Sequence, residues 1–162
     1  MSTDAKVSKD LMQTLEDGRK GFAEAADKLA DTDRADLAPR FRDFSEQRAS
    51  MYAELDLLAA AYGDDLEESG SAAAALHRGW MSVKDAITGS SADGVLDVAE
   101  QGEDHAVSEY TKALEQDLSP GLADVVRRQL VDITSAHNEV KRLRVATRPP
   151  DPQSVRGRRS RR

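Results

Sequence analysis

The sequence predicts an all-α protein made of two helical hairpins, and three observations support this prediction. Four long stretches place apolar residues at the three- and four-residue spacing of one helix face. No stretch of useful length alternates β-branched and polar residues as a half-buried strand would. The third observation is an internal similarity, in which Glu16-Asp17-Gly18 matches Glu100-Gln101-Gly102 and Tyr52-Ala53-Glu54-Leu55 matches His137-Asn138-Glu139-Val140. The two halves of the chain are therefore predicted to fold alike.

The first hairpin is predicted over residues 8–30 and 34–62. The apolar stripe of its first helix consists of Leu11, Leu15, Phe22, Ala26 and Leu29. The stripe of its second helix consists of Leu37, Phe41, Phe44, Met51, Leu55, Leu58 and Tyr62. Thr32 or Asp33 can cap the second helix, and Pro39 falls in its first turn, where a missing N–H costs little.

The second hairpin is predicted over residues 94–118 and 120–145. Its last helix has an apolar stripe of Leu122, Val125, Val126, Ile133, Ala136, Val140 and Leu143. Between the hairpins, residues 70–89 place apolar side chains around Trp80 on one face, which predicts a short extra helix. Two hairpins joined by a long crossover have the connectivity of a ferritin-like four-helix bundle. An up-down bundle is disfavoured, because it would need only a tight loop between the hairpins.

The composition favours packed helices and excludes several kinds of chemistry. The chain has no cysteine, so disulfides, thiolate catalysis and cysteine-ligated zinc are excluded. It has no apolar signal core near its start and no apolar run of membrane-spanning length. A cytoplasmic protein that does not enter a membrane is expected.

The charge divides the chain into a body and a tail. Residues 1–148 carry a net charge of −11 and are predicted to form the bundle, whereas residues 149–162 carry +4. The tail is rich in proline and arginine and is expected to be disordered, because it cannot form a core. It could lie loosely on the acidic body, bind nucleic acid weakly and without sequence preference, or act as an address peptide for a larger assembly or a partner surface. The tail arginines that would bind are Arg156, Arg158, Arg159, Arg161 and Arg162.

Five segments of the chain point to a family. They are EDGRKGF at 16–22, EQRASMYAEL at 46–55, GSAAAALHRGW at 70–80, EQGEDHAVSEY at 100–110 and HNEVKRLR at 137–144. Together they resemble a bacterial family of uncharacterised ferritin-like four-helix-bundle proteins, the domain of unknown function 2383. The resemblance covers about residues 8–146, with LHRGW and GED as its most specific parts. It implies the ferritin-like fold and brings no catalytic residues to this chain.

Ferritin-like bundles often hold two irons between inward carboxylates and histidines, so such a site is one possibility for this chain. The inward positions in the middle of the first and third long helices are Gly18 and Gly102, which have no side-chain ligand. The segments of the second and fourth long helices where Glu-x-x-His would be sought do not hold both ligands. Glu103 and His137 are the best remaining candidates. No cofactor is therefore predicted, and iron or manganese at an unconventional site is the alternative.

A structural polar layer is the preferred account of the interior. Arg48 lies between Phe44 and Met51 on its apolar stripe, and a buried arginine must be paired with a carboxylate. Glu109 is the predicted partner, with Gln129 completing the layer. Gly18 and Gly102 would make room for large side chains, with Arg48, Tyr52 and Tyr110 as candidates.

Two functions from different classes remain open on the sequence alone. The first is a non-enzymatic helical bundle of stress or housekeeping type that acts through partners or self-association, including homo-oligomers. The second is a metal-binding ferritin-like protein, such as an oxidase, with an unconventional site. The chain has no phosphate-binding glycine loop, and no Ser–His–Asp pattern stands out, so an enzymatic activity has no candidate residues.

Overall fold

The computed structural model describes residues 2–61, 80 and 91–147 of the chain. Their regular structure consists of α1 (Thr3–Leu29), a 3₁₀ turn (Ala35–Leu37), α2 (Ala38–Ala61), α3 (Ala92–Leu114) and α4 (Pro120–Thr147). These residues contain no strand, which confirms the all-α prediction and is consistent with a four-helix bundle. No helix among them is both long and apolar enough to cross a membrane. Apart from Trp80, the predicted crossover helix lies outside the described residues, as does the arginine-rich tail.

The ends of the helices follow from local hydrogen bonds that the apolar spacing does not reveal. α1 begins five residues earlier than predicted, because the Ser2 side chain caps it by accepting a hydrogen bond from the Ala5 N–H at 3.1 Å. Thr32 or Asp33 was expected to cap α2. The Thr32 hydroxyl donates to the Leu29 carbonyl at 2.7 Å at the end of α1 and accepts from the Arg34 N–H at 3.1 Å just before the 3₁₀ turn that leads into α2. Arg34 precedes the 3₁₀ turn and makes no side-chain cap hydrogen bond.

Pairs of contacts between helices set their directions. Arg40, near the start of α2, binds Glu139 in the second half of α4 at 2.6 Å. Glu54, in the second half of α2, binds Arg128 in the first half of α4 at 2.7 Å, so the two helices are antiparallel. The Ser119 N–H donates to the Asp4 carboxylate at 3.0 Å, which joins the start of α1 to the turn after α3.

The core shows that α2 and α3 begin at the same end of the bundle. Ala38 and Phe41 of α2 share a core cluster with Ala92 and Val95 of α3. The end of α2 and the start of α3 therefore lie at opposite ends of the bundle.

Two apolar clusters form the core. The first is aromatic, with Phe22 at its centre and the rings of Phe41, Phe44 and Trp80 at centroid distances of 5.7, 5.2 and 5.0 Å. The second is aliphatic apart from one tyrosine and includes Leu11, Leu15, Met51, Leu55, Tyr110, Leu122, Val126 and Ile133. Between the clusters, each of α1, α2 and α3 brings a small or charged residue to the centre.

The Trp80 ring approaches the backbone of two helices. A Cβ atom added at Gly21 of α1 or at Gly102 of α3 would overlap the ring. The two glycines thus form a slot for the indole, which is 7% exposed. Gly102 was predicted to make room for a large side chain, and the structure shows that this side chain is Trp80.

A buried polar layer as the candidate functional site

Arg48 lies at the centre of the bundle and binds a carboxylate of α3. Its Nη2 donates to Glu103 Oε2 at 2.7 Å, and the two side chains are 1% and 0% exposed. The stem of Arg48 packs against α1 at Gly18, where an added Cβ would lie 3.4 Å from Arg48 Cγ. The guanidinium carbon lies 5.2 Å from the centre of the Phe22 ring. The ion pair thus joins α2 to α3, and the Arg48 stem packs the pair against α1, with the aromatic cluster beside it.

Glu109 was predicted as the partner of Arg48, and the structure corrects this assignment. Glu109 is half-buried at the edge of the bundle, with its Oε1 3.6 Å from Lys112 Nζ. Glu103 and Glu109 both flank the buried stripe of α3, three residues from Ala106 on either side. Only the flank that carries Glu103 faces α2. The way α3 packs against its neighbours determines which of its two flanks faces α2.

Gln129 is buried as well, but it belongs to a second group of hydrogen bonds. It accepts from the Tyr110 hydroxyl at 2.6 Å and donates to the Met51 carbonyl at 3.2 Å and to Glu54 Oε1 at 2.8 Å. Arg128 donates to the other oxygen of Glu54 at 2.7 Å. This group connects α2, α3 and α4 and runs from the interior to the surface. The sequence placed Gln129 inside the bundle but did not identify Tyr110 as its partner.

The electrostatics of the two groups differ. Burial raises the pKa of Glu103, and the neighbouring Arg48 charge offsets this rise only in part. Hydrogen bonding to Arg128 lowers the pKa of Glu54, which lies nearer the surface. Burial also raises the pKa of Tyr110, so its hydroxyl remains a donor to Gln129 at neutral pH. Glu103 Oε1 is buried and has no hydrogen-bond partner among the described residues.

The two metal candidates have different partners. Glu103 is held by Arg48, whereas His137 Nε2 lies 2.5 Å from Asp104 Oδ1 in a hydrogen bond near the surface. Within residues 2–61, 80 and 91–147, no group of three or more His, Asp or Glu side chains could hold a metal ion. A cation beside Glu103 would also meet the positive charge of Arg48. The Arg48 charge and the lack of a third ligand among the described residues therefore disfavour a divalent metal ion at Glu103.

The outer surface of α2 and α4 exposes two large apolar side chains. Leu57 is 76% exposed and Val131 is 68% exposed. They lie three residues beyond Glu54 and Arg128, respectively, which form the ion pair between the helices. We call this surface, formed by Leu57, Val131 and that ion pair, the α2–α4 face.

Comparison with known proteins identifies one family. A family model described as "Domain of unknown function (DUF2383)" matches residues 6–116 of the chain. The match covers most of α1 and all of α2 and α3 and includes Arg48 and Glu103, but it ends before α4 and therefore before Gln129 and His137. No curated protein and no solved structure matches the chain.

Proposed function

The chain belongs to the DUF2383 family, and we propose that it is a non-enzymatic helical-bundle protein with a structural interior that acts through self-association. The observation that carries this proposal is the Arg48–Glu103 ion pair. It occupies the level between the two core clusters, which is where a helical bundle that binds a cofactor or metal would place its ligands. Here the buried charges bind each other across α2 and α3, and the Arg48 stem packs against α1.

We also propose that the whole chain has the ferritin-like arrangement. The support is the placement of the end of α2 and the start of α3 at opposite ends of the bundle, as a long crossover requires. The chain lacks cysteine, so exposed Ala61 and Ser91 can be replaced by cysteine and spin-labelled. Pulsed electron paramagnetic resonance should give a distance near the length of α2, about 36 Å. A distance typical of a tight turn would refute the arrangement.

The α2–α4 face is the proposed surface for self-association. Exposed Leu57 and Val131 would be buried against a second copy, which is favourable by roughly 25 cal/mol per Å² of apolar surface removed from water. Light scattering coupled to size exclusion should show a dimer that dissociates when Leu57→Lys and Val131→Lys are combined. Val145→Lys is the matched control, because Val145 is equally exposed on α4 but lies far along the helix from this face. A monomer at every concentration, or a dimer unaffected by the double variant, would contradict the proposal.

A metal-binding function is the second candidate, and one observation favours it. Glu103 Oε1 is a buried carboxylate oxygen without a hydrogen-bond partner among the described residues, so one oxygen of this carboxylate remains to bind a metal ion, which would need further ligands and would be repelled by the Arg48 charge. Iron and manganese analysis of protein purified without chelators tests this alternative. Metal near one ion per chain that is lost in Glu103→Gln would favour the metal site, whereas substoichiometric metal in both proteins would favour the structural interior.

A further inference from the structure

An open groove of about 340 Å³ lies between the first turns of α1 and the last turns of α3. Its apolar floor is formed by Val7, Leu11 and Ala113, which are all buried. The volume is near the lower limit for ligand pockets, roughly 300–1,000 Å³, and suits a molecule the size of one amino acid. None of the residues that line the groove belongs to the polar layer or to the α2–α4 face.

The walls of the groove carry two charges of each sign. Asp10 of α1 and Glu109 of α3 both line it, so two carboxylates from different helices share one space. Burial raises the pKa of Asp10 and the nearby charge of Glu109 adds to this rise, whereas the charges of Lys6 and Lys9 partly offset it, so all of these groups lie within electrostatic range of Asp10. Lys112 binds Glu109 at 3.6 Å, while Lys6 lies one helical turn before Asp10.

These charges are arranged along the groove from positive to negative. Lys6 lies near the N-terminus of α1, where the helix dipole also favours negative charge on a ligand. Asp10 and Glu109 lie farther along; Lys6, Lys9 and Lys112 already offset part of their charge, and a cation placed between the two carboxylates interacts favourably with both. The apolar floor runs beneath both regions. A ligand that complements the whole groove therefore needs one positive group, one negative group and an apolar part.

We propose that this groove binds a small zwitterion, such as an amino acid with an aliphatic side chain. Its ammonium group lies between Asp10 and Glu109, its carboxylate is bound by Lys6, and its side chain contacts Val7, Leu11 and Ala113. This binding does not depend on the proposed self-association, because the groove is formed by α1 and α3 within one chain.

Leucine is the probe that tests this site, together with two molecules that each lack one of its charged groups. Isoamylamine keeps the ammonium and the branched chain, and 4-methylpentanoate keeps the carboxylate and the branched chain. Titration of methyl-labelled protein, followed by nuclear magnetic resonance, should show saturable shifts of the methyl groups of Val7, Leu11 and Ala113. The Val140 methyl groups, buried in the other core cluster, should not shift. Isoamylamine and 4-methylpentanoate should each bind at least about tenfold more weakly than leucine, because each lacks one charge-assisted contact.

Substitutions in the walls separate this site from nonspecific binding. Asp10→Asn should weaken the binding of leucine and isoamylamine but leave the binding of 4-methylpentanoate unchanged. Lys6→Gln should weaken the binding of leucine and 4-methylpentanoate but leave the binding of isoamylamine unchanged. Lys20→Gln is the control, because Lys20 is an exposed lysine of α1 that does not line the groove. Circular dichroism checks that each variant folds. Shifts that do not saturate, that occur away from the groove, or that are equally strong for isoamylamine and leucine would overturn the proposal.

Discussion

Replacing Arg48 with alanine removes the partner of a fully buried carboxylate. Arg48 Nη2 and Glu103 Oε2 are 2.7 Å apart, and the two side chains are 1% and 0% exposed. An uncompensated buried charge typically costs about 3–5 kcal/mol. Protonation limits this cost, because neutralising a carboxyl group with an ordinary pKa of 4.5 at pH 7 costs about 3.4 kcal/mol. We therefore expect Arg48→Ala to lower the free energy of unfolding by about 3 kcal/mol or more at pH 7, and by less in acid.

A double-mutant cycle in urea, followed by circular dichroism, measures this interaction. Arg48→Ala and Glu103→Ala should each be strongly destabilising, and the double variant should lose clearly less than their sum, because neither charge is left alone. Arg40→Ala is the matched control: Arg40 is also on α2 and lies 2.6 Å from Glu139 of α4, but this pair is partly exposed. It should cost under about 1 kcal/mol. Additive effects, or equal losses in Arg48→Ala and Arg40→Ala, would refute the reasoning.

Three further predictions concern other parts of the chain. Gly102→Ala should destabilise the protein and shift Trp80 fluorescence to longer wavelength, because the new methyl overlaps the indole; Gly121→Ala, with no atom within 4 Å, should not. Burial raises the pKa of Glu103 in the folded protein above the ordinary value of 4.5 that it has in the unfolded chain. The stability that this group contributes is therefore fully present below pH 4.5 and is lost as the pH rises through the raised pKa. Glu103→Gln should abolish that decline in urea melts, and an unchanged decline would contradict the assignment. Deleting residues 149–162 should abolish weak, salt-sensitive binding to duplex DNA in fluorescence anisotropy, and binding that survives the deletion would show that the arginines are not its source.

The positions of the helices could be predicted from the sequence because their signals are local. Apolar residues at three- and four-residue spacing located all four described helices, and Pro39 lies in the first turn of α2 as predicted. The ends were less accurate. α3 ends at Leu114 rather than at residue 118, and the Ser119 N–H is bound instead by Asp4 at the other end of the sequence. A hydrogen bond between residues so far apart in the chain leaves no local pattern.

The interior position of Arg48 could be predicted for the same reason, since its place on the stripe between Phe44 and Met51 depends on helix geometry alone. Its partner could not be predicted. Glu103 and Glu109 are equivalent by spacing, because each lies three residues from Ala106 at the edge of the stripe. Which edge faces α2 depends on how α3 is rotated against its neighbours, and only the packed bundle determines that rotation.

The sequence by itself thus determined that the chain is helical, where its long helices lie and that an arginine is buried among them. Tertiary structure decided that Glu103 neutralises this arginine, that Tyr110 binds Gln129, and that Trp80 fills a slot between Gly21 and Gly102. The physical reason is the range of the interactions involved. Helix formation and facing follow from residues three or four apart, whereas each of these contacts joins segments that meet only when the apolar stripes of several helices pack together.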